Sequence, residues 1–224
     1  MKINDPAKNN SQVKKIIDKV KINLNYIKKN QDFRKFIYEN ISSNQKILDI
    51  GQSMRQFSLK ANSKISDTLD INSFEGYPNI QADLCEKNLS QSMGNKYDVI
   101  ICLAVLEHCY NPFEAIKNIN EMLNNNGVLF GYVPFLLNYH APKDSKFNDF
   151  YRFSKDGLSY LLKDFNSVEI FPVRGKISTL FYMLFGGYWK RIFEKLSIHI
   201  LFDKFLSDKT NILQTSGFYF IAKK

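Results

Sequence analysis

The stretch DVIICLAVL, residues 98–106, is apolar after its first residue. A continuous apolar run of this kind is typical of a strand that is buried on both faces, at the centre of a parallel sheet. Other short apolar runs are separated by turn-forming or helical stretches, and they lie at residues 47–50, 65–71, 79–82, 128–133, 168–173 and 218–222. With residues 98–103 they predict an α/β fold whose seven-stranded, mostly parallel sheet is flanked by helices.

Two helix starts follow the central strands. Asn111 precedes a proline and then Glu114, which predicts a capped amphipathic helix to about residue 123, and Ser154 is expected to cap another through residue 162. Only seven residues separate the second and third predicted strands, whereas a parallel crossover usually needs at least about 10. The third strand is therefore expected to be short.

The N-terminal 44 residues are expected to form a helical extension. Apolar residues recur at helical spacing over 11–29 and again over 33–41, with lysines on the other face of the first helix. With 224 residues and 44% hydrophobic content, the chain is predicted to be one elaborated domain. It would comprise this extension, a core over 46–224 and a helical insertion over 176–206 before the last strand.

The positive charge lies mainly in the N-terminal quarter. Thirteen basic and five acidic side chains fall within residues 1–60, whereas the net charge of the whole chain is +9. The body is thus nearly neutral, and nucleic acid is not predicted as a partner. The lysine face is expected to stay in water while the helices pack on the core; a contact with nucleic acid or an anionic membrane is the alternative.

The cysteines and the N-terminus favour a cytoplasmic protein. Cys85, Cys102 and Cys109 are an odd set without zinc-site spacing, so reduced thiols and no metal site are expected. The N-terminus has no apolar signal segment, and no apolar run reaches the about 20 residues of a membrane span.

The ends of the first two predicted strands indicate a nucleoside pocket. Ligands bind beyond the carboxyl ends of parallel strands, where Gly51 follows one strand and Asp70 ends the next, 19 residues later. At that distance an acidic side chain can hold ribose hydroxyls. The three glycine positions of a dinucleotide loop read Gly51, Ser53 and Gln56, which argues against a nicotinamide or flavin dinucleotide.

Three motifs resemble a known family over about residues 46–165. They are ILDIG at 47–51, DVIICLAVLEH at 98–108, and Val133-Pro134 with Tyr139-His140 followed by DFYRFS at 149–154. This order is similar to Rossmann-like class I S-adenosylmethionine-dependent methyltransferases, in particular small bacterial members associated with surface-glycan or lipid biosynthesis.

The resemblance implies a set of residues that bind S-adenosylmethionine. Asp49 and Gly51 would shape the pocket for the methionine part, with Ser53 at the family's second loop glycine. Asp70 would hold the ribose, Asp83-Leu84 would lie by the adenine, and Cys102-Leu103 would line the pocket near the sulfonium. A side chain at position 53 is tolerable if its backbone does not need positive φ.

Two histidines are candidate catalytic groups. A hydroxyl acceptor gains from a general base, and His108 and His140 are both expected at the strand ends that face the site, with His140 nearer the acceptor side. The alternatives are that His108 caps a strand–helix junction and that His140 braces its loop. Asp149, Tyr151 and Arg152 are expected to form a network that fixes the same loop.

The segment 176–206 is rich in bulky apolar residues. It is expected either to pack on the sheet or to form a lid or amphipathic surface that makes a peripheral membrane contact and admits a lipid-linked acceptor. The leading hypothesis for function is methyl transfer from S-adenosylmethionine to an oxygen or nitrogen of a small molecule, such as a sugar or lipid-linked glycan precursor. The alternatives are a non-catalytic protein that keeps the fold, and an RNA methyltransferase.

Overall fold

The computed structural model describes residues 6–22, 30–54, 64–73, 76–141, 143, 146–184, 203 and 213–224. Within them the helices are α1 (Pro6–Asp18), α2 (Asn30–Asn40), α3 (Leu89–Met93), α4 (Pro112–Met122), α5 (Lys155–Leu161) and α6 (Lys176–Leu184). The strands are β1 (Lys21–Ile22), β2 (Ile47–Ile50), β3 (Asp67–Asp70), β4 (Ile80–Gln81), β5 (Tyr97–Leu103), β6 (Leu123–Pro134), β7 (Ser167–Val173) and β8 (Gly217–Lys223).

The strands form one sheet with the order β1-β7-β8-β6-β5-β2-β3-β4. Strand β8 runs antiparallel to both β6 and β7, and the other neighbours are parallel. From β2 the chain proceeds outward to β3 and β4, and it then crosses back to place β5 on the other side of β2. The order of strands therefore reverses between β2 and β5, whose carboxyl ends lie side by side.

The predicted number of strands was wrong by one. All seven expected strands are present, and the eighth is β1, which pairs with Glu169 and Ile170 of β7 at the edge of the sheet. The helix predicted over 11–29 ends at Asp18 instead, and residues 23–29 of that prediction lie outside the described residues. The periodicity did not reveal this end because Val20, beyond the helix, also packs on the core.

Side chains of β5 alternate between two apolar layers. Ile100 and Cys102 pack with α3, α4 and α5 on one face of the sheet, whereas Ile101 and Leu103 face the other layer. That second layer includes Phe33, Ile37 and Ile41 from α2 and its end. The central position predicted for this strand is confirmed, as is the packing of the second N-terminal helix on the core.

Both predicted helix caps are confirmed. The side chain of Asn111 accepts a hydrogen bond from Glu114 N–H at 3.2 Å, and Ser154 Oγ accepts one from Gly157 N–H at the same distance. These bonds satisfy backbone donors that have no partner within a helix. They fix where α4 and α5 begin.

The predicted third strand is the two-residue β4, which pairs in parallel with β3. Its shortness agrees with the short connection that precedes it.

The predicted insertion begins with a helix, α6, whose first N–H groups donate to the buried Asp203. Residues 185–202 and 204–206 lie outside the described residues, so the lid and membrane hypotheses for them stay predictions. Among the described helices, none has the length and apolarity that crossing a bilayer requires.

Candidate active site

A cavity of about 280 Å³ lies at the carboxyl ends of β2, β3, β4 and β5. Its floor consists of residues that end these strands or directly follow them. A loop between β6 and α5 covers it with Lys146, Phe147, Asn148 and Phe150. The cavity therefore lies beside the reversal in strand order, where open parallel sheets bind ligands.

Gly51 forms part of the floor where β2 ends. Its φ is +70°, and a Cβ atom at this position would lie 2.3 Å from Cγ2 of Val105. Gly51 N–H donates to the Leu69 carbonyl oxygen at 2.9 Å, which holds the turn against β3. A side chain is thus excluded both by the backbone conformation and by the close approach of Val105.

Two carboxylates face the cavity from neighbouring strands. Asp70, at the end of β3, accepts hydrogen bonds from Asn72 through Oδ1, the backbone N–H at 2.8 Å being the shorter. No hydrogen bond to its Oδ2 is found within the described part of the chain, so this oxygen can accept bonds from a ligand. Asp83, after β4, accepts from Cys85 N–H at 2.8 Å, and Leu84 lies beside it in the wall.

Ser53 and Asp49 lie behind the floor and do not line the cavity. Ser53 Oγ donates to the Ile50 carbonyl oxygen at 2.6 Å and accepts from Leu103 N–H at 2.8 Å, and its φ is not positive. The serine therefore ties the loop to β5 and does not crowd the cavity.

Asp49 is fully buried, with Oδ2 accepting from Met54 N–H at 3.0 Å. Its Oδ1 has no hydrogen-bond partner among the described residues. Burial raises the pKa of Asp49 to about 7, although the Met54 N–H opposes this rise. A carboxylate at this buried position of β2 is thus costly to ionise.

Cys102 and Leu103 also do not line the cavity. Both are residues of β5 with side chains that are buried in the two apolar layers. The wall that was expected from them is provided by Ala104 and Val105, the first residues beyond the strand. Ala104 has a φ of +58°, an uncommon conformation for a residue other than glycine, and it turns the chain toward the cavity.

The covering loop is anchored to the segment that follows β5. Phe150 and Tyr151 N–H both donate to the carbonyl oxygen of Glu107, at 2.8 and 3.1 Å. Arg152 donates to the carbonyl oxygens of Leu137 and Asn138 and pairs with Asp149.

The network expected from Asp149, Tyr151 and Arg152 is present, with Arg152 paired to Asp149 and bonded to the backbone of the loop. The hydrogen bonds from Arg152 lower the pKa of Asp149 to about 2. Tyr151 contributes a separate bond from its hydroxyl to the Tyr110 carbonyl oxygen.

The two candidate histidines lie together, with ring centroids 5.0 Å apart. His108 lines the cavity, whereas His140, which was expected nearer the acceptor, lies beside His108 and is not part of the cavity wall. Between them is the carboxylate of Glu107, whose Oε1 is 3.9 Å from His108 Nε2 and 3.4 Å from His140 Nε2. Contact with this carboxylate raises the pKa of His140.

Sequence reasoning missed Glu107 as a site residue, as well as the aromatic part of the cover. Glu107 was visible only as the neighbour of His108, and nothing in the sequence indicated that His140 would approach it. Phe147 and Phe150 lie in or beside the 149–154 motif, which was interpreted as a loop-fixing network. The position of Phe150 over the cavity depends on its backbone bond to Glu107.

Comparisons with known proteins identify the family from the sequence and the fold from solved structures. Residues 22–164 match the family described as "Methyltransferase domain". The fold is similar to a SAM-dependent methyltransferase from Archaeoglobus fulgidus, with a TM-score of 0.55 and 14% identity over 87% of this chain and 92% of that one. No curated protein matches the chain.

Two further solved structures share the fold. A SAM-dependent methyltransferase from Thermotoga maritima has a TM-score of 0.50 and 8% identity, covering 97% of this chain and 96% of that one. The [4+2]-cyclase SpnF has a TM-score of 0.51 and 11% identity, with 96% and 92% covered. At such identities the likeness concerns the fold alone.

Proposed function

Since the chain belongs to the Methyltransferase domain family and is an S-adenosylmethionine-dependent methyltransferase, we propose that it methylates an oxygen or nitrogen of a small molecule. The acceptor class that we favour is a sugar or a lipid-linked glycan precursor. The single observation that carries the proposal is the cavity where the strand order reverses, floored by Gly51 and flanked by Asp70.

The residues of this cavity fit the cofactor. The bare Cα of Gly51 allows close approach, Asp70 Oδ2 can accept from ribose hydroxyls, and Asp83-Leu84 lie where a base would follow the ribose. Bound there, S-adenosylmethionine supplies a methyl group that is already activated by the positive sulfur. The remaining work of the protein is to position the acceptor and to exclude water.

The covering loop and the histidine pair form the acceptor side. Phe147 and Phe150 give the cavity an apolar roof. The side chains of Tyr110 and Phe150 are 56% and 47% exposed at its edge, and exposed aromatic surface of this kind is typical of a ligand-binding groove. His108 is the polar side chain that meets the acceptor atom here, with His140 directly behind it.

The test is binding of S-adenosylhomocysteine, measured by calorimetry. We expect wild-type protein to bind it and Asp70→Asn to bind about 10 to 100 times more weakly, since a hydrogen bond to a charged group is worth about 1.5–3 kcal/mol. Asp156→Asn, the same change at an exposed residue of α5, should leave the affinity unchanged. No binding by the wild type at millimolar ligand would overturn the proposal, and equal binding by Asp70→Asn would remove Asp70 from the ribose contact.

A further inference from the structure

The cluster formed by Glu107, His108 and His140 has the composition of a metal centre. Each of the three side chains offers one ligand atom, and these atoms lie within 4.8 Å of one another. We propose that this cluster binds a divalent transition-metal cation through Glu107 Oε1, His108 Nε2 and His140 Nε2. The site adjoins the cavity, because His108 is also part of its wall.

Both histidine rings are oriented by their other nitrogen. His108 Nδ1 lies 2.7 Å from the Asn148 carbonyl oxygen, and His140 Nδ1 lies 3.2 Å from that of Asn138. A carbonyl oxygen only accepts, so each Nδ1 carries a hydrogen, and in the neutral ring each Nε2 keeps a lone pair for a metal ion. His140 Nδ1 also lies 3.3 Å from the acceptor Asp149 Oδ2. Metal-binding histidines show this arrangement, in which the second nitrogen donates to a carbonyl or carboxylate.

Glu107 supplies the negative charge. Its side chain is fully buried, and neither carboxylate oxygen has a hydrogen-bond partner within the described part of the chain. A buried carboxylate without partners is strongly disfavoured, so the cluster requires a positive charge. The Arg152 guanidinium also interacts with this carboxylate, but the carboxylate to which it donates hydrogen bonds is that of Asp149. A proton on His140 or a metal ion could supply a positive charge in direct contact with Glu107.

The distance between Glu107 Oε1 and His140 Nε2 favours the metal ion, whereas Glu107 Oε1 and His108 Nε2, 3.9 Å apart, must approach each other by about 0.5 Å to share it. A charge-assisted hydrogen bond between an imidazolium and a carboxylate is about 2.7–2.9 Å long, whereas Glu107 Oε1 and His140 Nε2 are 3.4 Å apart. Ligand atoms about 2.0–2.1 Å from a tetrahedral ion stand about 3.3–3.4 Å apart. A proton on His140 would also leave the lone pair of His108 unused, whereas a metal ion uses all three atoms.

The ligand types indicate the class of metal. Two imidazole nitrogens and one carboxylate suit Zn²⁺, Co²⁺, Mn²⁺ or Fe²⁺, whereas Mg²⁺ and Ca²⁺ prefer oxygen ligands. Three protein ligands leave at least one coordination position open. That position could hold the acceptor oxygen or nitrogen beside the cavity, and this use rests on the proposed function. Binding of the metal ion does not depend on the proposed function.

The test is titration of chelator-treated, full-length protein with Co²⁺, followed by calorimetry, visible absorption and the melting temperature. We expect one ion per chain, a rise in melting temperature, and no cobalt–thiolate charge-transfer band. Glu107→Gln and His140→Gln should each weaken binding by more than about 100-fold, because loss of an outer partner alone costs about 10- to 100-fold. His199→Gln, which changes the remaining histidine of the chain, is the matched control and should bind normally.

Folding of the variants is controlled by their melting temperatures without metal. Glu107→Gln removes a buried charge, so its metal-free melting temperature should equal or exceed that of the wild type, while the rise on adding Co²⁺ disappears. Absence of stoichiometric binding by the wild type, or equal binding by Glu107→Gln, would overturn the metal site. Binding of S-adenosylhomocysteine by metal-free protein is measured separately, so the failure of one proposal is distinguishable from the failure of the other.

Discussion

Replacement of Asp49 by asparagine should change how stability depends on pH. The pKa of Asp49 rises from 3.8 to about 7 on folding because the side chain is buried. Between these values the native protein holds a proton that the unfolded chain releases, so the free energy of unfolding falls as pH increases. Asparagine is neutral throughout and can still accept the hydrogen bond from Met54 N–H.

The size of the effect follows from the two pKa values. At pH 5 the native carboxyl group is protonated and most of the unfolded carboxyl groups are not, whereas at pH 8 both are ionised. The contribution of Asp49 to stability therefore declines by about 3 kcal/mol between pH 5 and pH 8. In Asp49→Asn this part of the decline should be absent.

Urea denaturation at pH 5 and pH 8 measures this difference for each protein. Asp98→Asn is the matched control: a hydrogen bond from Lys46 N–H lowers the pKa of Asp98, so that carboxylate stays ionised across the whole interval. The control should show the wild-type decline. If Asp49→Asn loses as much stability as the wild type between the two pH values, Asp49 is not protonated in the native protein and the reasoning is wrong.

Two further substitutions test the packing of the sheet and the anchoring of the loop. Gly131→Ala would place a Cβ atom 2.0 Å from Cζ of Phe220 and should lower the free energy of unfolding by about 1–3 kcal/mol. Adding Phe220→Leu to this variant should restore part of the lost stability. A Gly131→Ala protein as stable as wild type would contradict the packing. Lysine in Arg152→Lys cannot reproduce all the bonds to Leu137, Asn138 and Asp149. Amide hydrogen exchange of the covering loop should therefore accelerate by about 10- to 100-fold. Unchanged exchange would show that contacts other than those of Arg152 hold the loop.

The features predicted well are those that depend on neighbours in sequence. The buried run of β5 and the caps at Asn111 and Ser154 are local patterns, and the structure has them where the sequence placed them. Gly51 and Asp70 were also placed correctly at the cavity, because the carboxyl ends of parallel strands must meet at one edge of the sheet.

The features that were missed depend on register or on distant contacts. Strand β1 has only two residues, and only its pairing with β7 distinguishes it from the end of a helix. The sequence assigned Cys102 and Leu103 to the cavity wall. Both residues still belong to β5, so their side chains are buried in the core on either face of the sheet. The approach of His140 to Glu107 is set by the covering loop, whose path no local pattern records.

The position of β8 constrains the order in which the sheet can form. This strand lies between β6 and β7, and β1 is joined to the sheet only through β7. Strands β7 and β1 therefore have no partner in the main sheet until residues 217–223 are inserted, however early in the chain they occur. Closing such distant pairs is entropically costly, so we expect β1 and β7 to join the sheet late in folding, with the last strand as the link between this pair and the five strands on its other side.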